Sequence, residues 1–370
     1  MLAQPPIWII IVGFVCMLAP VVFFHELGHY LVGRVFGVGA ETFSIGFGHE
    51  IVGWTDKQGT RWKIGWLPLG GYVRFVGDMN AASAPGDAEE LPPELREHSF
   101  PVKPVWQRFL IVLAGPAANF LLAIIIFAGL FSLVAAPDTN KIGRIEPKSA
   151  AAVAGIQRGD RILAVSGHKT PTLDEVRSVI EPRPNQFVRI ELERGGAVRQ
   201  VQVKVGILEG KDETGKKVAI GILGVSGAPV SIFKAIPLAT EQTALITASG
   251  VEGVARLIIG QGSRQDVGGP IKIAQVAGEA ASLGALPFIQ LVALLSINLG
   301  FINLLPVPLM DGGHLFFYGM EAIRRRPLSA RAFEWAFRGG LAIILALMAF
   351  TTINDLSSIG LWDRLGRLIG

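Results

Sequence analysis

Residues 5–30 read PPIWIIIVGFVCMLAPVVFFHELGHY. Positions 5–24 carry no charge, which is about the length an α-helix needs to cross the hydrocarbon core of a bilayer. The run leads directly into His25-Glu26-Leu27-Gly28-His29. On a helix, residues four apart share a face, so His25 and His29 can aim both imidazoles at one metal ion while Glu26 stands near enough to take a proton from a water there. Ionisable side chains at the end of a membrane helix cost on the order of 2–3 kcal/mol each unless something pairs with them. The cluster therefore reads as a functional site rather than as a snorkelling helix end with unpaired histidines. No basic n-region precedes the run and no small-residue cleavage site follows it, so a retained helix is expected rather than a signal peptide.

The rest of the chain agrees with a membrane protein. Of 370 residues, 50% are hydrophobic and only 17% charged, and the mean hydropathy is +0.46; a disordered chain is excluded. The 45 glycines and 22 prolines show no three-residue period, which excludes collagen. Three further uncharged stretches, 109–137, 280–310 and 339–354, bring the expected spans to four. The lone cysteine, Cys16, can form neither an internal disulfide nor a thiolate zinc site, so a metal must be held by His and carboxylate. The net charge of +4 is spread along the chain with no basic stripe, so no nucleic-acid partner is implied.

Basic residues crowd the loop between the first two spans (Arg34, Lys57, Arg61, Lys63, Arg74, Arg96, Lys103, Arg108) and the segment between the last two (Arg324, Arg325, Arg326, Arg331, Arg338). Both are expected on the cytoplasmic side, leaving both termini and the polar insert of about 138–279 outside. Within the insert, strands are expected at Lys141–Ile145 and Arg161–Val165, a helix over Thr172–Ile180, and a hairpin of Phe187–Glu193 with Val198–Val205 across Gly195-Gly196. Residues 228–279 fit an amphipathic element on the membrane surface better than a fifth span. The string Gly143-Arg144-Ile145, Ser149–Ala154, Gly155-Ile156, Gly159–Leu163 resembles a PDZ domain of the bacterial protease type. That resemblance implies peptide capture by strand addition, with the backbone of Ile142, Gly143, Arg144 and Ile145 receiving a carboxylate.

Two histidines leave a tetrahedral zinc needing one more protein ligand and an open position. Asp311 is the first candidate, at the end of the third apolar run after Pro306 and Pro308 and before Gly312-Gly313. Unwound backbone at membrane depth survives only where it is buried in protein or lines a cavity. His314 is the alternative ligand, and a plain helix-ending turn residue is the other reading of Asp311. His49, His98 and His168 lack an intramembrane setting and read as surface or loop residues.

His25–His29 in the first span, Gly115-Pro116-Ala117-Ala118-Asn119 in the second, the PDZ-like insert, and Asn303 through Asp311-Gly312 in the third together resemble the site-two protease family, in the regulator of sigma-E protease type, over nearly the whole chain. The fold class this implies is a polytopic α-helical membrane protein of four transmembrane helices with a membrane-associated β region and an inserted mixed α/β domain. Its parts would be 1–137, with two spans and the β region; 138–207, PDZ-like; 208–279, linker and surface segment; and 280–370, the last two spans. The resemblance further implies one zinc ion on His25, His29 and Asp311, Glu26 as general base, and Asn303 holding substrate backbone or oxyanion. It places Gly46, Phe47 and Gly48 with Gly70 and Gly71 in a β region that pairs with an unwound substrate strand, and Gly115, Pro116 and Asn119 at the substrate-binding surface. The implied activity is intramembrane endopeptidase, the second cut in release of an anti-sigma factor during a stress response. Its substrates would be single-span proteins trimmed on the outer side of a bacterial inner membrane, and the lipid bilayer its other partner.

Two departures stand out: Met310-Asp311-Gly312 replaces the family's usual Leu-Asp-Gly, and there is room for one clear PDZ copy rather than two. A transporter would use intramembrane His, Glu and Asp as well, but no inverted repeat is visible. A proteolytically silent PDZ scaffold would lack a member of the set His25, Glu26, His29 and Asp311, and all four are present.

Overall fold

The computed structural model describes residues 5–77, 92–137, 139–211, 217–261, 268–326 and 330–358. Parts of the expected cytoplasmic loop, of the 208–279 segment and of the C-terminus lie outside these residues. The chain begins with α1 (Ile7–Val35), β1 (Ala40–Thr55), β2 (Arg61–Phe75), α2 (Pro93–Arg96) and α3 (Val105–Leu133). The insert follows with β3 (Ile142–Ile145), α4 (Ala150–Val153), β4 (Arg161–Val165), β5 (His168–Lys169), α5 (Leu173–Ile180), β6 (Phe187–Arg194), β7 (Ala197–Lys204), β8 (Gly206–Lys211), β9 (Lys217–Ile222) and β10 (Val225–Gly227). The chain returns through α6 (Ile232–Ile258), α7 (Pro270–Leu283), α8 (Ala285–Leu304), α9 (Asp311–Arg324) and α10 (Ala330–Ser358). Two compact units result, one of Met1–Ala123 with Thr243–Gly370 and one of Ile124–Gln242.

In the first unit, α1, α3, α8 and the Phe333–Ser357 part of α10 are long and apolar enough to cross a membrane, and α6 is not among them. Those four helices coincide with the four expected spans: α1 and α10 run past the expected stretches, α3 is shifted a turn toward the N-terminus, and α8 is shorter than 280–310. Helices that meet in an apolar setting pack through small residues. At Gly13 an added Cβ would lie 3.1 Å from the Ala277 carbonyl, and at Gly278 it would lie 2.7 Å from Ile10, so α1 and α7 touch backbone to backbone. The N-terminus of α7 is capped from α10: Asp355, 2% exposed, accepts the Gly269 N–H and the Lys272 N–H at 3.0 Å each.

β1 and β2 form one antiparallel, strongly bulged hairpin. The first half of β1 pairs on one edge with residues 71–75 and on the other with 61–64, and the second half pairs with 61–65. Phe43, fully buried, stacks on Trp62 at 4.3 Å and anchors this sheet against Tyr30 of α1 and Ile111 of α3. Ile51, Val52, Trp54 and Trp66 stay exposed on the hairpin.

The second unit follows its sequence signals closely. Thr172 and Glu175 form a reciprocal capping box at the start of α5. Strands β5-β4-β6-β7 make one sheet over a core of Ile142, Ile162, Val165, Ile190, Leu192 and Val203. Two expectations need correction. The domain does not end at 207, because β8–β9 is a further hairpin and β10 pairs with β3. For the same reason one side of Ile142, Gly143, Arg144 and Ile145 is closed to a peptide. β10 runs antiparallel along one side of β3, while on the other the Ile142 N–H donates to Asp160 O and the Gly159 N–H to Ile142 O.

Asp160, 1% exposed, ties this region together. It accepts Nε–H and Nη2–H of Arg194 at 2.7 Å each and the Gln157 N–H at 2.7 Å. Burial alone would raise this carboxyl, but the hydrogen bonds from Arg194 and Gln157 outweigh it and hold the group below its ordinary range. A carboxyl depressed in the folded state adds stability above its unfolded pKa and loses it as pH falls through the folded value. Asp160→Asn is therefore expected to weaken the insert by about 1–3 kcal/mol at neutral pH. The difference from wild type should shrink below about pH 4, read as hydrogen exchange of β4 and β6 peptides.

Candidate metal centre

HExxH lies in the last three turns of α1, with His25, Glu26 and His29 all buried. As the spacing requires, the two imidazoles share a face, and their Nε2 atoms approach to 3.2 Å. Asp311 arrives from the far end of the chain at the first position of α9. Its Oδ2 lies 3.2 Å from His25 Nε2 and 3.5 Å from His29 Nε2. Residues 305–310 are unwound as the two prolines predict, and Leu309 sits at φ 83, a left-handed conformation that a non-glycine residue holds only under tertiary constraint. Gly312 and Gly313 serve here by close approach: an added Cβ would fall 2.2 Å from Leu305 O at the first and 2.5 Å from Val307 O at the second.

These three donors suit zinc. Asp311 Oδ2 is buried with no hydrogen-bond donor, and it faces two ring nitrogens, so lone pairs converge where a cation is required. A tetrahedral ion with bonds of about 2.0–2.2 Å holds its ligands roughly 3.3–3.6 Å apart, close to the three separations observed. Among the described residues this is the one group of three or more His, Cys, Asp or Glu able to hold a metal ion. His314, the alternative ligand, is outside it; its ring packs against Phe333 and Tyr318. His29 is oriented by its other nitrogen, whose Nδ1–H donates to the Ile111 carbonyl at 2.9 Å and leaves Nε2 free to bind metal.

A cavity of about 250 Å³ opens over the donors and is lined by Glu26, Asn303, Phe47 and the Gly70–Val73 stretch of β2. Asn303 Nδ2 is 3.3 Å from His25 Nε2. The Glu26 carboxylate accepts the Val73 N–H. Gly71 allows that approach, since a Cβ there would lie 2.7 Å from Val22 and 3.0 Å from Glu26. Residues 71–75 pair with β1 on one edge only, so the other edge borders the cavity.

Five residues expected at the substrate surface do not line this cavity. Gly46 and Gly48, at φ 86 and 83, are bulge positions that let β1 turn against β2. Gly115, Pro116 and Asn119 lie on α3 and are buried. Their job is to seat α3 against α1: a Cβ at Gly28 would fall 2.3 Å from Ala114 O, and one at Gly115 would fall 2.2 Å from His29 Nε2. Only a residue without a side chain leaves room for that imidazole. In purified protein, Asp311→Ala should abolish stoichiometric zinc while His314→Ala retains it. Gly115→Ala should weaken zinc binding by roughly 10–100-fold, the range for loss of ligand support, measured by competition with a chromophoric chelator.

Comparison with known proteins agrees with this geometry. The profile of peptidase family M50 matches residues 13–347. A Mesorhizobium japonicum protein named as a zinc metalloprotease is 43% identical over 94% of this chain and 98% of its own. The metalloprotease MmpA of Caulobacter vibrioides is 36% identical over 97% of this chain and 98% of its own. The PDZ domain of an SdrC-like protein from Listeria monocytogenes matches 24% of this chain and 85% of that one at 19% identity, with a TM-score of 0.19. With its family profile, its relatives and its buried His25, His29 and Asp311 in accord, the chain belongs to peptidase family M50, the site-two protease family, and is a zinc metalloprotease.

Proposed function

We propose that this metalloprotease cleaves transmembrane segments of single-span membrane proteins, as the second cut after trimming on the outer side, and that release of an anti-sigma factor in a stress response is the type of event it serves. The observation that supports this most is where the donors sit. His25 and His29 lie on a helix whose preceding turns are wholly apolar, and Asp311 meets them from α9 beside a cavity lined by residues of β2. Four apolar helices and the charge asymmetry of the loops support a multi-pass protein of a bacterial inner membrane, with termini and insert on the periplasmic side and the centre near the cytoplasmic side.

The chain's own groups divide the work. A bound zinc ion supplies Lewis-acid polarisation of the scissile carbonyl and lowers the pKa of water. Glu26 takes the proton of the attacking water and returns it to the leaving amine. The Asn303 amide, beside His25 Nε2, donates to the carbonyl oxygen as charge builds on it. A helical substrate hides its carbonyls in its own hydrogen bonds, so it must unwind before it can react. The β2 stretch Gly70–Tyr72, beside the Val73 N–H that Glu26 holds, then replaces those lost bonds with strand pairing. The inserted domain acts as the filter on the outer side.

The test is cleavage of a panel of single-span reporters by purified wild type and Glu26→Gln, with zinc content measured on both. Cleavage within the span by wild type, slowed about 10²–10⁴-fold in a zinc-loaded Glu26→Gln protein, is the expected result. Equal rates in the two proteins would remove Glu26 from the chemistry, and failure of both to hold zinc would remove His25, His29 and Asp311 as the ligand set.

A further inference from the structure

His29 has a backbone carbonyl to fix its tautomer, and His25 needs an equivalent. The group against its outer nitrogen is the Asn119 side chain, whose amide terminus lies 3.1 Å from His25 Nδ1. Asn119 is fully buried, and its Oδ1 has no hydrogen-bond partner. Two facts then fit together. His25 Nε2 faces Asp311 Oδ2 and His29 Nε2, so a metal held there requires its lone pair, and the proton must sit on Nδ1. An Nδ1–H requires an acceptor, and the amide oxygen left without a donor is the acceptor at hand. A half-turn about the Asn119 Cβ–Cγ bond brings Oδ1 to face Nδ1 and pairs it with the ring N–H, while the amide nitrogen takes the position Oδ1 held.

The placement of Asn119 is itself over-determined. Its backbone carbonyl accepts Ser296 Oγ–H of α8 at 2.8 Å, and Gly300 leaves room for it, since a Cβ there would lie 3.3 Å from Asn119 Cβ. α3 is thereby fixed between α1 and α8 with the amide aimed at one ring nitrogen. Asn119 neither borders the cavity nor reaches the reacting atoms.

We propose that Asn119 is a positioning residue, its side-chain oxygen accepting the His25 Nδ1–H and so holding Nε2 in the metal-binding tautomer. This rests on the zinc reading of His25, His29 and Asp311, and extends it to a residue ninety-four positions along the chain from His25. A carboxylate can replace an amide oxygen as acceptor but cannot donate, whereas a leucine can do neither. Zinc affinity of the full-length protein in detergent, by chelator competition between pH 6 and 8, therefore separates the possibilities.

Asn119→Asp should bind zinc within about threefold of wild type or tighter, and Asn119→Leu should lose roughly 10–100-fold, as outer-shell changes do. Cobalt substitution gives a second reading, with N119D keeping the wild-type visible spectrum and N119L altering it. Equal losses in N119D and N119L would show that the amide donates or merely packs, and would overturn the proposal, as would unchanged affinity in both. If N119L does not fold, a tenfold loss in N119D alone has the same overturning force and wild-type affinity there upholds the acceptor role. Wild-type protein without zinc affinity would instead refute the metal centre itself.

Discussion

Lone pairs brought together out of water repel one another, and the centre of this protein gathers three of them: two imidazole nitrogens and a carboxylate oxygen separated by 3.2–3.5 Å. A metal ion turns that repulsion into the bond that joins α1 to α9, elements almost three hundred residues apart in the chain. The rest of the first unit can be understood as what keeps the donors in place before and after the ion arrives. Gly28 and Gly115 bring α3 against α1, Ile111 O holds one imidazole, and Gly312 with Gly313 draws the start of α9 back over the unwound turn.

How much of this could be read from the residues alone depends on the distance over which each signal acts. The pair His25 and His29 was legible because helical spacing converts sequence distance directly into shared direction. Asp311 was legible as a candidate through its prolines and glycines, but choosing it over His314 needed three dimensions: a one-turn difference along α9 turns one side chain to the donors and the other toward Phe333. The role of Gly115 was hidden. A glycine in an apolar helix signals only that something comes close, and here the something is His29, eighty-six residues earlier in the chain.

The insert shows the same limit on a smaller scale. Hairpins, the capping box of α5 and the core strands have local signatures, and they appear where those signatures predict. β10 is three residues long, too short for any alternation to declare it, and its pairing with β3 moves the end of the domain and closes one of the two edges that Ile142–Ile145 would otherwise offer. A strand's availability for a ligand is a property of its neighbours, which its own residues do not encode.

The contact between Asp355 and the first turn of α7 joins parts of the molecule that supply no metal ligand. α7 lies along α1 through Gly13 and Gly278, so the carboxylate on α10 reaches the helix of His25 and His29 through one intermediary. A chain ending soon after α9 would contain His25, Glu26, His29 and Asp311, and yet α1 would have lost its link through α7 to α10. The donor set and the contacts that brace its helix are therefore made at different points during synthesis, the second only once α10 has emerged.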